Sequence, residues 1–340
     1  MPICAFLSFR FSSTDGVSIV ARRWMTSMTR RGFDVVSVAA EGADRTVRGI
    51  GLTADGPPDV AALADALADA DLVVVENLCT IPLNVPAALA AAGVLRGRPT
   101  IMHHHDPPWH RPRYAHLVDL PIDDAAWAHV SITRTAAAEL ADRGISSTVI
   151  YNGFDPPTAG DRRHQREVLG VGADELLVAH PVRAIERKNL PRAIALAEGL
   201  GATYWLLGPA EEGFDAELLE LLTGARCRVI HAPCSNEADI YAAADVVAFP
   251  SLWEGFGNPP IEAALHRRPA AVGDYPFAAE LRRLGFEFFN PRDVNALRAF
   301  LAAPDDDLLD RNQRLALEHF SMDRVDAGLE TLLDARGWSP

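Results

Sequence analysis

Two glutamates eight positions apart, Glu254 and Glu262, stand in the segment SLWEGFGNPPIEA at residues 251 to 263. A carboxylate accepts two hydroxyl hydrogen bonds at once, which is the grip a vicinal diol requires. Asn258 can cap a helix and Pro259 can occupy its first turn. Gly255, Phe256 and Gly257 then form a loop whose N–H groups point where an anion would sit. On this reading Glu254 lies in the loop and Glu262 in the first helical turn, both at one cleft edge. Helix-dipole compensation would account for Glu262 alone but gives no reason for a second acid in the loop.

The cations form the other half of the pattern. Of 32 basic residues apart from histidine, only Lys188 is lysine; it follows Arg183 in the run RAIERKN. A compact ammonium suits a point contact to a phosphate oxygen, and an arginine fork suits a bidentate one. Arg183 and Lys188 fall at a strand's C-terminal end, where ligands of α/β sheets bind. Arg187 reads as solvated surface charge, and Lys188 as an exposed cleft cation whose removal leaves the fold untouched. Near the N-terminus, SSTDGV (12 to 17) opens a helix directly after a strand, and Gly16 would let a phosphate approach the first N–H groups. Taken alone, a plain turn capped by Thr14 or Asp15 is the simpler reading. Three consecutive histidines close the strand PTIMHHH. Alternation places His103 and His105 on one face and His104 on the other. A metal site is the weaker reading of this run, and Cys4, Cys79, Cys227 and Cys234 have no metal-binding spacing.

The pair Glu254 and Glu262 within EGFGNPPIEA resembles the paired-glutamate signature of the retaining glycosyltransferases of family 4, which have the GT-B fold. Arg183 and Lys188 are similar to that family's diphosphate-holding Arg and Lys. NGFD (152 to 155), LLGPAEE (206 to 212, with Gly208) and DIYAAADVVAFPS (239 to 251) extend the likeness through the second half. The first half matches in outline: Asp15 and Gly16 stand where the family has a Gly-rich turn, and a histidine ends a mid-domain strand. The family pattern fits His105 best, with His103 second. The resemblance implies metal-independent transfer of a hexose from a nucleotide diphosphate sugar, a UDP- or GDP-hexose, with retention and without a cofactor. Glu254 would hold the sugar hydroxyls, Glu262 the nucleotide ribose, and His105 would orient or polarise near the anomeric carbon. A small sugar, phosphorylated or glycan acceptor is expected. The rivals are a GT-B phosphorylase, a sugar-nucleotide epimerase and a non-catalytic GT-B partner subunit. Pyridoxal chemistry would need a second lysine, and a degenerate chain is expected to lose Glu254, Lys188 or the glycines, all of which are present.

These residues need a scaffold, and the sequence alternates accordingly. ICAFLSF, DVVSVAA, DLVVVEN, PTIMHHH and HVSIT read as strands in the first half, with VSIVARRWMTSMTRRG, PDVAALADALADA and VPAALAAAG as helices capped by Gly32 and Gly93 where glycine follows. PPTAGDRRHQRE reads as a linker. ELLVAHPVR, TYWLLG, CRVIHAP, DVVAFPS and PAAVGD then restart the strand pattern, and the chain is expected to be helical from Val294. The expected fold is α/β: two doubly wound, Rossmann-like domains facing across a cleft, residues 1–155 on the acceptor side and 156–320 on the donor side. Residues 321–340 form a C-terminal helix that could pack back towards the first domain.

The chain has 340 residues, 49% of them hydrophobic, enough for two ordinary cores. A formal charge of −14 argues against nucleic acid and anionic membrane partners. No apolar run reaches the roughly 20 residues of a spanning helix, and a cytoplasmic protein is expected. In the first half, Arg22, Arg23, Arg30 and Arg31 on one helix, with Trp109, Arg111, Arg113 and Tyr114, could meet an acceptor. A solvated helix face is the simpler reading for most of those arginines.

Overall fold

The computed structural model describes residues 1–11, 16–53, 56–110, 114 and 120–340. Thr14, Asp15, Arg111 and Arg113 lie outside the described residues. The first stretch runs β1 (Ile3–Leu7), α1 (Gly16–Arg30), β2 (Asp34–Ala39), β3 (Arg45–Thr46), α2 (Val60–Ala66), β4 (Leu72–Glu76), α3 (Val85–Leu95), β5 (Thr100–His104), β6 (Trp127–Ser131), α4 (Arg134–Ala141) and β7 (Ser147–Val149). The second runs α5 (Arg162–Leu169), β8 (Leu177–His180), α6 (Leu190–Leu200), β9 (Thr203–Leu206), α7 (Asp215–Gly224), β10 (Val229–His231), α8 (Glu237–Ala243), β11 (Val246–Phe249), α9 (Asn258–Leu265), β12 (Ala270–Val272), α10 (Pro276–Arg283), α11 (Val294–Ala302) and α12 (Asp306–Phe320). A last helix, α13 (Met322–Arg336), follows. Two compact units result: Met1–Gly153 with Met322–Pro340, and Phe154–Ser321.

In the first unit seven parallel strands take the order β3-β2-β1-β4-β5-β6-β7. Alternation along β1 sends Cys4 and Phe6 to one face, against Val20, Trp24 and Met28 of α1 and Val325 and Leu329 of α13. Ala5 and Leu7 face the other way, against Leu63 and Leu67 of the α2 segment and Ala87, Ala91 and Leu95 of α3. Both faces of the sheet are covered, which is why its strands are continuous apolar runs. The arginines of α1 mostly have partners within this unit. Arg23 donates to the Gly153 carbonyl at 2.7 Å, and Arg30 and Arg31 pair with Asp326 (3.0 Å) and Glu330 (3.8 Å) of α13. Arg30 and Arg31 thus tie the terminal helix down, and these arginines are not simply a solvated face.

The second unit has five parallel strands in the order β10-β9-β8-β11-β12. Two local expectations fail here and in the first unit. Residues 162–169, read as linker, form α5, capped by Asp161 on the His164 N–H and closed by Gly170 at φ 64°. Its buried face is Gln165, Arg166 and Leu169, and Arg166 bonds Asp245 and backbone carbonyls, so no apolar stripe announces the helix. Gly93 lies inside α3 and caps nothing; the helix runs on to Leu95, and the glycine beyond it with positive φ is Gly97. Among the described residues, no helix is long and apolar enough to cross a membrane.

One polar chain threads the core of the first unit. Thr80 Oγ1 lies 2.7 Å from His104 Nδ1, His104 Nε2 lies 2.8 Å from His129 Nδ1, and His129 Nε2 lies 2.9 Å from Asp123 Oδ1. An ionised aspartate only accepts, so the hydrogens run one way: Thr80 donates to His104, His104 to His129, and His129 to Asp123. Both rings are satisfied only when neutral, and an added proton would set two donors against each other. Burial holds both imidazoles below their ordinary value of 6.5, His104 well below it. Burial likewise lowers His103, His266 and His180, the last to about 3. Because the folded values are depressed, this stability is complete above the unfolded value and is lost as pH falls through 6.5. Denaturation at stepped pH should show stability falling below about pH 6.5, each such histidine adding up to about 1.4 kcal/mol per pH unit. His104→Gln should flatten the slope; an unchanged slope would mean the chain is not what titrates.

Candidate active site

In an open doubly wound sheet the binding crevice lies where strand order reverses, beyond the strands' carboxyl ends. In the second unit that point is between β8 and β11, from which the chain runs outward to β9-β10 and to β12. The β8 loop carries Arg183, Arg187 and Lys188; the β11 loop carries Glu254. Backbone bonds tie the loops together: the Leu252 N–H donates to the Arg187 carbonyl at 2.9 Å, and Asn189 Nδ2 to the Pro250 carbonyl at 3.2 Å. Asn189 sits at φ 55°, a left-handed turn that asparagine tolerates, between the helical turn Glu186–Lys188 and α6.

Glu254 is 7% exposed, and each of its oxygens meets a cation. Lys188 Nζ donates to Oε1 at 2.6 Å, and Arg187 Nη1 to Oε2 at 2.5 Å. Arg187 also reaches the Trp253 carbonyl at 3.2 Å, while the Lys188 ammonium lies 5.0 Å from the Phe249 ring centroid. Burial pushes the Glu254 carboxyl up, but Lys188 and then Arg187 outweigh it and hold the group below its ordinary range. Burial pulls the Lys188 ammonium down to about 8 against the support of Glu254. Two expectations are corrected. Lys188 is 8% exposed, so it is a buried ion-pair partner and not an exposed cleft cation. Arg187 is not solvated surface charge, since it clamps the carboxylate.

Arg183 remains at the surface, 46% exposed at its side chain, and pairs with Glu211 at 2.6 Å. Its loop is held down at Gly208, where a Cβ would come within 2.4 Å of the Val182 carbonyl oxygen. Gly208 is thus a close-packing position beneath Arg183. Gly257, at φ 90°, precedes α9, and a Cβ there would meet Tyr275 Oη at 2.8 Å and Phe249 at 3.0 Å. Asn258 is the first residue of α9 and not its cap; Gly257 holds the cap position, without a side-chain bond. Gly255 is half-buried beside them. The Phe256 side chain is buried, stacked on Phe277 at 4.2 Å and 24°, so the loop there offers a ligand only its backbone. Glu262 lies in the second turn of α9, where the Tyr241 hydroxyl donates to it at 2.5 Å.

In the first unit the reversal lies between β1 and β4. Gly16 opens α1 beyond β1, exposed, with nothing within 4 Å of where a Cβ would stand. Glu76 and Asn77 end β4, and His103 to His105 end the neighbouring β5, with Glu76 in register with His103. His103 and His105 both face Glu76 Oε2, at 2.9 Å and 2.7 Å. His103 has no exposure and stacks on Trp24 at 4.0 Å, whereas His105 is 6% exposed. Burial would raise the Glu76 carboxyl, but His103 and His105 bring it to about 2. Among the described residues, these three are one set whose donor atoms, all within 4.8 Å, could hold a metal ion. The sequence reading passed over Glu76, which looks like a polar end to an apolar strand. The HxH spacing opposite it was the available signal.

Trp109 lies elsewhere in this unit, its Nε1 donating to Glu139 at 2.8 Å with the Arg143 guanidinium 3.6 Å from its ring. A cavity of about 640 Å³ in the second unit lies by the amino ends of β9 and β10, away from the reversal. Its cations are already matched, Arg226 by Glu198 and Arg228 by Glu175.

Residues 187–304 match the family model of glycosyl transferases group 1. The chain is 25% identical to mannosylglucosylglycerate synthase of Thermotoga maritima over 85% of its own length and 84% of that protein's. It is 35% identical to D-inositol 3-phosphate glycosyltransferase of Mycobacteroides abscessus, over 40% of this chain and 34% of the relative. Among solved structures, Anabaena HepE in complex with UDP-glucose superposes with a TM-score of 0.76 at 21% identity, covering 98% of this chain and all of that one. Sucrose-phosphate synthase from Thermosynechococcus elongatus gives 0.78 at 15% identity, covering 98% and 99%. The fold is GT-B, with two parallel-sheet Rossmann-like domains and a helical C-terminal part. Together these matches support a glycosyltransferase.

Removing one partner from a buried ion cluster leaves the others uncompensated. Glu254→Ala should therefore cost about 3–5 kcal/mol and Lys188→Ala a comparable amount, whereas Arg183→Ala should stay within about 1 kcal/mol. Urea denaturation checks the ranking, and equal effects at positions 183 and 188 would contradict it.

Proposed function

We propose that the protein is a retaining glycosyltransferase resembling family 4, moving a hexose from a UDP- or GDP-hexose to a hydroxyl of a small sugar, phosphorylated or glycan acceptor. The second unit binds the donor and the first the acceptor. The observation that carries this reading is the meeting of Lys188, Arg187 and Glu254 at the β8–β11 reversal, with Arg183 on the same loop. UDP-glucose bound to Anabaena HepE and the sugar-linking names of the curated relatives support it.

The chemistry follows from charge. Cleaving the glycosidic bond of a nucleotide sugar separates an anionic diphosphate from an oxocarbenium-like sugar, so preorganised cations at the leaving group lower the barrier most. Lys188 has three hydrogens and gives one to Glu254, so two are left for a diphosphate oxygen. Arg183 supplies a second cation by exchanging Glu211, a half-exposed partner, for phosphate. N–H groups of the Gly255–Gly257 loop add donors without a metal, and in the first unit the α1 start at Gly16 offers N–H groups to an anion of its own. Glu254, fixed by two cations, receives the sugar hydroxyls; Glu262, oriented by Tyr241, receives those of the ribose. His105 orients or polarises the sugar near its anomeric carbon.

A thermal-shift panel of UDP, GDP, ADP and their hexoses tests the reading, since a bound donor raises the melting temperature by mass action. A shift with none of them would refute it. With the donor so identified, Glu254→Gln should mainly lower kcat, and Glu262→Gln should mainly weaken donor and free nucleotide diphosphate alike. Wild-type-like kinetics in both variants would sink these roles. Turnover should also persist in EDTA; loss restored by magnesium or manganese would show that Arg183 and Lys188 are not the main diphosphate clamp.

A further inference from the structure

Glu76 is fully buried at the end of β4, and among the described residues what meets its carboxylate is two imidazoles, His103 and His105. His105 is gripped at two points by consecutive residues of the neighbouring strand end. Its Nε2 lies 2.7 Å from Glu76 Oε2, and its backbone N–H donates to Asn77 Oδ1 at 3.2 Å. Asn77 also takes the Asp106 N–H at 3.1 Å and returns its own side-chain amide to Asp106 at 3.3 Å. It does so at φ 61°, a left-handed conformation that asparagine reaches more readily than most residues. Behind the pair, His103 is locked against Trp24 with rings 4.0 Å apart and 22° from parallel.

We propose that Glu76 is a positioning residue for His105: by accepting the Nε2 hydrogen it commits that nitrogen to the protein and leaves Nδ1 as the ring atom for a substrate hydroxyl. An ionised carboxylate has no hydrogen to give, so the Nε2 proton belongs to the imidazole and the tautomer is fixed. Without Glu76 the ring could flip or exchange tautomers, and Nδ1 would lose its aim. The spacing favours hydrogen bonding over metal ligation. Ligand atoms on one tetrahedral zinc, each about 2.0–2.1 Å from the ion, stand about 3.3 Å apart. Here His105 Nε2 is hydrogen-bonded to the carboxylate oxygen at 2.7 Å, whereas His103 Nδ1, 2.9 Å from the same oxygen, is not aligned for a hydrogen bond.

The inference rests on His105 being the histidine at the reacting sugar, so its test has one readout that needs no substrate. In ¹⁵N-histidine NMR spectra of the intact chain, His105 should show a single Nε2–H tautomer that becomes mixed in Glu76→Ala. Glu76→Gln, which keeps the volume but brings an amide that can donate as well as accept, should also lose the single tautomer and serves if the alanine variant does not fold. The second readout is nucleoside diphosphate release from UDP-glucose and GDP-mannose, with and without sugar acceptors. His105→Ala and Glu76→Ala should each lower kcat on the order of 100-fold with little change in KM, and the double variant should fall no further than His105→Ala alone. A mixed tautomer in the wild type, additive losses, or stoichiometric zinc bound to the purified protein through these residues would overturn the proposal. If His105→Ala turns over like wild type while the tautomer is fixed by Glu76, the catalytic role of His105 fails. The proposal then falls with it, although the geometry stands.

Discussion

A carboxylate taken out of water must be met by positive charge or by donors, and at Glu254 that requirement organises the whole end of the second sheet. The residues that meet it come from a loop some 66 positions earlier in the chain. They can reach it only because β8 and β11 are neighbours in the sheet. The flanking backbone is shaped to the same end. Leu252 and Asn189 bond across the two loops, Gly208 lets the Arg183 loop lie on β9's exit, and Gly257 clears Tyr275 and Phe249. Burial costs the cluster hydration, and mutual pairing recovers enough of it that Glu254 stays ionised. The result is a carboxylate held by two cations, with a lysine whose hydrogen-bond partner among the described residues is Glu254 and an arginine nearby at the surface. Such an arrangement is preorganised for an anion carrying hydroxyls.

The first unit meets the same requirement by a different route. Glu76 has imidazoles where Glu254 has fixed cations: His105 hydrogen-bonds its carboxylate, and His103 lies 2.9 Å from the same oxygen. On the opposite side of β5, His104 joins a one-way chain from Thr80 to Asp123. Adjacent residues of one strand therefore serve two separate networks, and the strand's alternation keeps them apart. A cation cluster suits a phosphate, whose charge does not change during binding. An imidazole held by a carboxylate suits a hydroxyl, which must be oriented and can be polarised.

What the sequence disclosed, and what it withheld, divides along the same physical line. Residue type and spacing along the chain made the strands, most helices and the Gly-flanked loop readable and marked Glu254, Arg183 and Lys188 as candidates, while the choice of His105 over His103 came from the family resemblance. Local hydrophobic period and turn chemistry determine those features. Pairing across the sheet was not readable. Arg187 in RAIERKN looks like any surface arginine until β11 is known to lie beside β8, and Lys188 looks exposed for the same reason. Glu76 looks like a solvated strand end until the HxH of β5 is placed opposite it. Helix α5 escaped because its buried face is Gln165, Arg166 and Leu169, a polar surface satisfied by Asp245 and by carbonyls, so period and composition pointed to a linker.

The distribution of lysine and arginine at the β8 loop also has a physical logic. Arg187 uses Nη1 on both Glu254 and the Trp253 carbonyl, so that end of its planar fork is committed within the protein. Lys188 is nearly as buried yet reaches Glu254 with a single hydrogen, and its rotatable ammonium can redirect the other two. An arginine in its place would need room for a broader, planar head beside the Phe249 ring, which the ammonium approaches to 5.0 Å. In a chain that otherwise uses arginine for every such charge, the one lysine falls where a compact head fits between Glu254 and the Phe249 ring. In the proposed function the labour would divide: Arg187 holds the carboxylate still, and Lys188 would connect that carboxylate to the diphosphate.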